Sequence, residues 1–147
     1  MPENVYVIGT MNTADRSIAL LDAAIRRRFA FEEMHPEEPP VRDLLRRWLG
    51  PSGTDDPRPA LLQALNAAIP ESDRDFKIGP SYLMRSDAGT DAGLARIWRH
   101  DLLPLLEEHF HGRFSRADVH DRFGLEAIRR AAGVAVGPDA AEERPST

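Results

Sequence analysis

The apolar positions change period along the chain, and each change marks a different kind of element. Val5-Tyr6-Val7-Ile8 is a continuous apolar run rich in β-branched residues and closed by Gly9-Thr10. A short strand buried on both faces of a parallel sheet has this pattern. After the polar stretch 12–17, Ile18, Leu21 and Ile25 recur on one face, with Leu20 and Ala24 beside it, which predicts a helix over 18–28. Asp15 or Ser17 can cap its start, and Arg26-Arg27-Arg28 stand at its end, where cations complement the helix dipole. Residues 29–34 read as a second strand, stopped by His35-Pro36 and by Pro39-Pro40. Strand, helix and strand in this order predict a βαβ unit, whose two parallel strands need further strands beside them.

From Val41 onward the period is helical. A short helix over 41–49 ends at Gly50-Pro51, and a Pro/Gly/Asp-rich link at 52–59 precedes a second helix over 60–69. A charged loop (70–75) leads to a mixed segment, 76–84, with a turn at Gly79-Pro80. The longest helix is expected over 94–110, with Leu94, Ile97, Trp98, Leu102, Leu105 and Leu106 as its apolar stripe and Pro104 kinking or breaking it. A short helix follows at 126–132, and the apolar-poor stretch 133–147 reads as a disordered tail. Trp48, Phe76, Tyr82 and Trp98 read as core aromatics. The expected organisation is therefore an α/β portion over 1–40, a helical domain over 41–132 and the tail.

Composition narrows the chemistry. Hydrophobic residues make up 41% of the 147 and charged residues 29%, enough apolar matter for a packed core. The net charge of -5 puts direct nucleic-acid binding last, since phosphate contacts are led by clustered Lys and Arg. With no cysteine, thiolate chemistry and disulfides are excluded. His109 and His111 form the one close histidine pair, read as solvated helix-end residues with no further ligands at metal spacing. No apolar run reaches the ~18 residues of a membrane helix and no signal peptide is apparent, so a cytoplasmic protein is expected.

The informative residues are Gly9-Thr10-Met11-Asn12-Thr13-Ala14-Asp15-Arg16-Ser17 and, further on, Leu21-Asp22-Ala23-Ala24-Ile25-Arg26-Arg27-Arg28-Phe29. The first group sets an amide and a carboxylate at the C-terminal edge of the expected buried strand, where open α/β sheets bind ligands. The second ends a helix in three guanidinium groups suited to a phosphate. With Pro2-Glu3-Asn4-Val5, Ile78-Gly79-Pro80-Ser81-Tyr82 and Leu103-Pro104-Leu105-Leu106-Glu107-Glu108, this pattern resembles the AAA+ GTPase domain of the McrB family of methylcytosine-specific restriction enzymes, over roughly the first 110 residues.

The resemblance implies a fold and a set of roles. The fold would be α/β: the C-terminal βαβ portion of an AAA+ P-loop sheet, incomplete in this chain, followed by an all-helical lid. Asn12 corresponds to the sensor 1 residue, which reads the γ-phosphate and helps orient the attacking water. Asn12-Thr13-Ala14-Asp15 matches the segment compared with a guanine-reading Asn-Lys-x-Asp motif, with Thr13 in place of Lys; Asp15 either reads the base or serves a local water network. Arg27 and Arg28 correspond to arginine-finger positions reaching a neighbour's nucleotide, the alternative being a solvated basic helix end. Lys77, Ser81 or Arg85 could serve as the lid's contact to the nucleotide, or the loop could only pack. GTP, or less favourably ATP, with Mg²⁺ is the implied ligand; the implied partners are other AAA+ subunits in a homo-oligomeric ring, a separate nuclease subunit, and DNA held by other domains.

One departure limits these roles. No Gly-x-x-x-x-Gly-Lys-Ser/Thr loop and no Walker B strand are present, and Lys77 is the chain's one lysine. Hydrolysis by the chain alone is therefore not expected. Either the missing half lies ahead of Met1 in a longer protein, or the chain is a separate interaction or regulatory module acting in trans on an intact ring subunit.

Overall fold

A computed structural model describes residues 4–10, 27–51 and 55–134. By its internal contacts the chain divides into two units, Met1–Glu33 and Met34–Thr147.

In the first unit the βαβ expectation is overturned. None of the described residues forms a strand. Tyr6 and Ile8 are 89% and 94% exposed, and Phe29 and Phe31 lie open as well. The physical reason is that β-branched composition favours a pleated, half-buried surface but does not create one. A strand needs a ladder of paired N–H and C=O groups with a neighbour, and among the described residues neither 5–8 nor 29–34 joins such a ladder. The chain's described architecture is accordingly all-helical. The helix expected over 18–28 lies outside the described residues except for Arg27 and Arg28, which occupy an exposed turn. Of the expected tail, residues 135–147 also lie outside them.

The second unit is built of helices and short 3-10 turns. Helix α1 (Leu44–Leu49) stops at Gly50, whose φ of 66° is a left-handed conformation that glycine adopts without strain. Helix α2 (Arg58–Ala68) starts after Pro57 with Pro59 in its first turn, where a missing N–H costs nothing. Three 3-10 turns follow at Glu71–Phe76, Pro80–Leu83 and Ser86–Gly89. Helix α3 (Asp91–Ile97) is capped by Thr90, whose hydroxyl accepts the Gly93 N–H at 3.1 Å. It runs through a π turn (Trp98–Leu102) into α4 (Leu103–His109). Helices α5 (Arg116–Phe123) and α6 (Leu125–Ala132) complete the unit. Helix α2 packs on α6, α4 on α5, and α5 on α6 around one core.

Pro104 does not break the long helix. Proline in a helix interior lacks the N–H and crowds the carbonyl four residues back. The π turn runs directly into α4 and widens the backbone there, so that Pro104 sits in the first turn of α4. The widening also serves the stripe. Leu94, Trp98, Leu102, Leu106 and Phe110 are all buried and step by four throughout, a spacing that drifts about 40° per step around a regular helix. The wider turn takes up part of that drift and keeps the row on the core.

Trp98 is 1% exposed, and its Nε1 donates to the Phe123 carbonyl at 2.9 Å, tying α5's last turn to the long helix. Trp48, expected in the core, is instead 47% exposed, with the Arg58 guanidinium 5.7 Å from its ring. Helix α5 was not anticipated, because only Val119 and Phe123 are buried along it. Its readable signal is the reciprocal cap, in which the Ser115 hydroxyl accepts the Asp118 N–H and the Asp118 carboxylate accepts the Ser115 N–H.

Gly93 is required by close approach. A Cβ there would overlap the Asp87 backbone carbonyl, which already accepts from Thr90. Gly93→Ala must push the 86–89 turn off α3, and we expect a loss of about 2 kcal/mol, or a thermal midpoint about 10 °C lower. Circular dichroism melting checks this; an unchanged midpoint would show that the turn yields freely.

Candidate functional site

The segment 77–87 carries the lid residues proposed from sequence to face a nucleotide, and α2 grips it at two points. Asn66, 3% exposed, donates from Nδ2 to the Ile78 carbonyl at 2.9 Å and accepts the Ile78 N–H at 2.7 Å. Both backbone groups of Ile78 are thus satisfied by one side chain, as a strand neighbour would do. Arg58 works at the other end. Its Nε and Nη2 donate to Asp56 at 2.9 and 2.7 Å, and its Nη1 reaches the Leu83 and Arg85 carbonyls at 3.1 and 3.3 Å. A planar guanidinium can hold both oxygens of a carboxylate and two carbonyls at once; an ammonium, with three donors and no fork, cannot make all four contacts. Between the grips Pro80 and Leu83 are buried, while Ser81 is exposed on the turn.

Lys77 and Arg85 are committed elsewhere. Lys77 Nζ donates to Glu37 at 2.5 Å and to Glu71 at 3.2 Å. The Glu37 bond above all, with that to Glu71, holds the Lys77 ammonium above its ordinary pKa. Arg85 pairs with Asp101 at 3.0 Å and with Asp87, which also contacts Arg96. Of these candidates, Ser81 is the one presented on the exposed turn without belonging to these ion pairs. Arg27 and Arg28 are exposed in the other unit. Asn12, Thr13 and Asp15 lie outside the described residues.

A second polar cluster was missed from sequence. Asp73 accepts from Arg113 at 3.0 and 2.6 Å, from the His109 ring at 2.8 Å and from Ser72 at 3.0 Å. His109 stacks on Phe76 with ring centroids 3.5 Å apart, so it is not the solvated helix-end residue expected. The Arg113 guanidinium first, helped by His109 and Ser72 and opposed by partial desolvation, holds the Asp73 carboxyl far below the usual carboxylate range. A carboxyl lowered in the folded state contributes stability that is complete above its unfolded value of about 3.9 and is lost as pH falls below it. Asp73→Asn should therefore melt lower than the wild type at neutral pH, and the gap should begin to narrow by pH ~3, closing only on much stronger acidification. Equal gaps at both pH values would remove the carboxylate from the account. Among the described residues no group of three or more His, Asp or Glu could hold a metal ion, and no helix is long and apolar enough to cross a membrane.

The family of the McrB α-helical lid domain matches residues 58–118. The type IV methyl-directed restriction enzyme EcoKMcrB subunit of Escherichia coli (strain K12) is 40% identical to the chain, the match covering 75% of this chain and 26% of that protein. This is an McrB-family segment. It spans about a quarter of the length of the curated relative it matches, and no solved structure matches it.

In this McrB-family segment the lid match opens on Arg58 and takes in Asn66, the 78–85 turn, Asp73 and Arg113. The residues that frame the turn are therefore inside the matched domain. Mg²⁺ and the nucleotide phosphates are another matter. Lys77, the one lysine, is held by Glu37 and Glu71 with a side chain 7% exposed, and the described residues offer no carboxylate set for the ion. The described residues do not form a Mg²⁺ site.

Proposed function

We propose that the chain forms part of a nucleotide-driven AAA+ motor in a modification-dependent DNA restriction system. The observation that carries this reading is the 40% identity to the methyl-directed restriction enzyme subunit across 75% of the chain. The helices over 41–132 act as the lid, and residues 1–40 bring the groups that face nucleotide. Asn12 acts as sensor 1 on the γ-phosphate, with Thr13 and Asp15 beside it. Arg27 and Arg28 act as fingers for the nucleotide of a neighbouring subunit, and their exposure leaves them accessible to one. Ser81, exposed on a firmly held turn, is the lid's contact. GTP is the favoured substrate over ATP, and the phosphate-gripping and Mg²⁺-binding groups come from a part of the motor outside this chain. A ring of such subunits works with a nuclease subunit, and DNA is read by other domains.

Hydrolysis of GTP and of ATP by the complete subunit, with its phosphate-binding part, tests this reading. Turnover that depends on subunit concentration and drops on changing Asn12→Ala is expected. A complete subunit that turns over neither nucleotide would overturn it.

A further inference from the structure

We propose that Arg58 and Asn66 are positioning residues that set the lid's grip on the nucleotide by fixing the turn that carries Ser81. The inference rests on the reading of the chain as a nucleotide-facing lid, and it assigns roles to two residues that touch no substrate.

Residues 78–85 are held largely by side chains from another element. This stretch is a 3-10 turn with flanking extended residues, so its backbone groups have few partners of their own. The partners come from α2. Asn66 satisfies both the N–H and the C=O of Ile78, and Arg58 takes the carbonyls of Leu83 and Arg85. Eight residues separate the two side chains on α2, a little over two turns, and they seize the segment on either side of Gly79-Pro80-Ser81-Tyr82. Asp56 turns the guanidinium fork toward those carbonyls by binding Nε and Nη2 from behind. Pro80 and Leu83 pin the turn from below.

Two buried polar side chains would be an expensive way merely to fill space. Packing alone would serve as well with apolar residues. What the polar grips add is a defined backbone position for an exposed hydroxyl, which is the requirement for a contact that must meet a ligand within a fraction of an ångström.

Arg129 supplies the control. It is 4% exposed, and it bridges Asp91 and Glu126 at 2.7 and 3.3 Å without touching 78–85. In the complete subunit, Arg58→Lys should raise KM for GTP by about tenfold with kcat within about twofold, whereas Arg129→Lys should leave KM unchanged. Hydrogen exchange should quicken at the amides of 82–85 in Arg58→Lys and not in Arg129→Lys. Equal KM in the wild type and Arg58→Lys would overturn the proposal, as would equal KM rises in both variants. If the wild type binds no nucleoside triphosphate, the lid reading falls and takes this one with it. If the wild type turns over GTP normally and Arg58→Lys loosens 82–85 without moving KM, this proposal alone falls.

Discussion

Changing Arg27 and Arg28 together to alanine in the complete subunit should slow nucleotide hydrolysis by about 10³-fold while leaving nucleotide binding nearly intact. A finger acts on charge that develops on the transferred phosphoryl, so its loss appears in kcat and spares ground-state affinity. The lid fold should not be disturbed, because both residues are exposed and belong to the unit Met1–Glu33. Mixing experiments sharpen the result. A finger works on the neighbour's nucleotide, so rings doped with the double variant should lose activity at wild-type sites beside it. Turnover of the variant at the wild-type rate would return the arginines to the role of a solvated basic surface. The single variants then divide the effect between Arg27 and Arg28.

Trp98→Ala should be the most damaging single change to the fold, at about 4 kcal/mol. Trp98 is among the largest fully buried side chains, 1% exposed, so its removal leaves a cavity that the five-residue row along the long helix cannot close. The substitution also strands the Phe123 carbonyl, which loses the indole N–H at 2.9 Å. That loss is of the order of the whole stability of a domain of this size, and the variant should be largely unfolded at 37 °C. Trp98→Phe separates the contributions. It keeps most of the apolar volume and loses the donor, and about 2 kcal/mol is expected. Urea unfolding of the two variants measures both. Equal losses would mean that the indole hydrogen bond, and not its volume, ties α5 to the long helix.

The helical half of the fold was legible because its signals are local. The stripe from Leu94 to Leu106 has helical period, Gly50 and Pro51 stop α1, and the helix from 126 is marked by an apolar face. What escaped was set by partners far away in sequence. Helix α5 carries only two buried residues, so its period is faint, and its cap is the one local mark. Trp48 looked like core because tryptophan usually is, but the packing that decides this comes from elements outside α1. The strands failed for a related reason: Val5 to Ile8 have strand-like chemistry, yet a strand exists only in company, and among the described residues that company is missing.

The candidate site divides in the same way. Asn12, Arg27 and Arg28 can be proposed from sequence because they sit in contiguous stretches that carry the family resemblance. Arg58 and Asn66 are invisible in it, since their partners in the turn stand 12 to 27 positions away. Asp73 was hidden likewise, 36 positions from His109 and 40 from Arg113. A polar residue inside an apolar helix is itself a mark, however: Asn66 follows Leu65 on α2, and the mismatch could have been asked what it binds.

The π turn ahead of Pro104 has a bearing on how this helix can change its length over time. The turn accommodates one residue more than a regular helix would need between Trp98 and the row beyond it. Deleting a residue from 98–102 while keeping the proline would restore a regular helix with Leu102, Leu106 and Phe110 still on the core side, but it would leave Pro104 in a helix interior where its ring crowds the carbonyl four residues back. Losing the proline while keeping the residue would leave a widened turn with nothing to relieve. Insertion history and proline history are therefore coupled at this point. Relatives whose long helix has no proline here should also be one residue shorter, and a chain carrying one change without the other should melt lower than a chain carrying both.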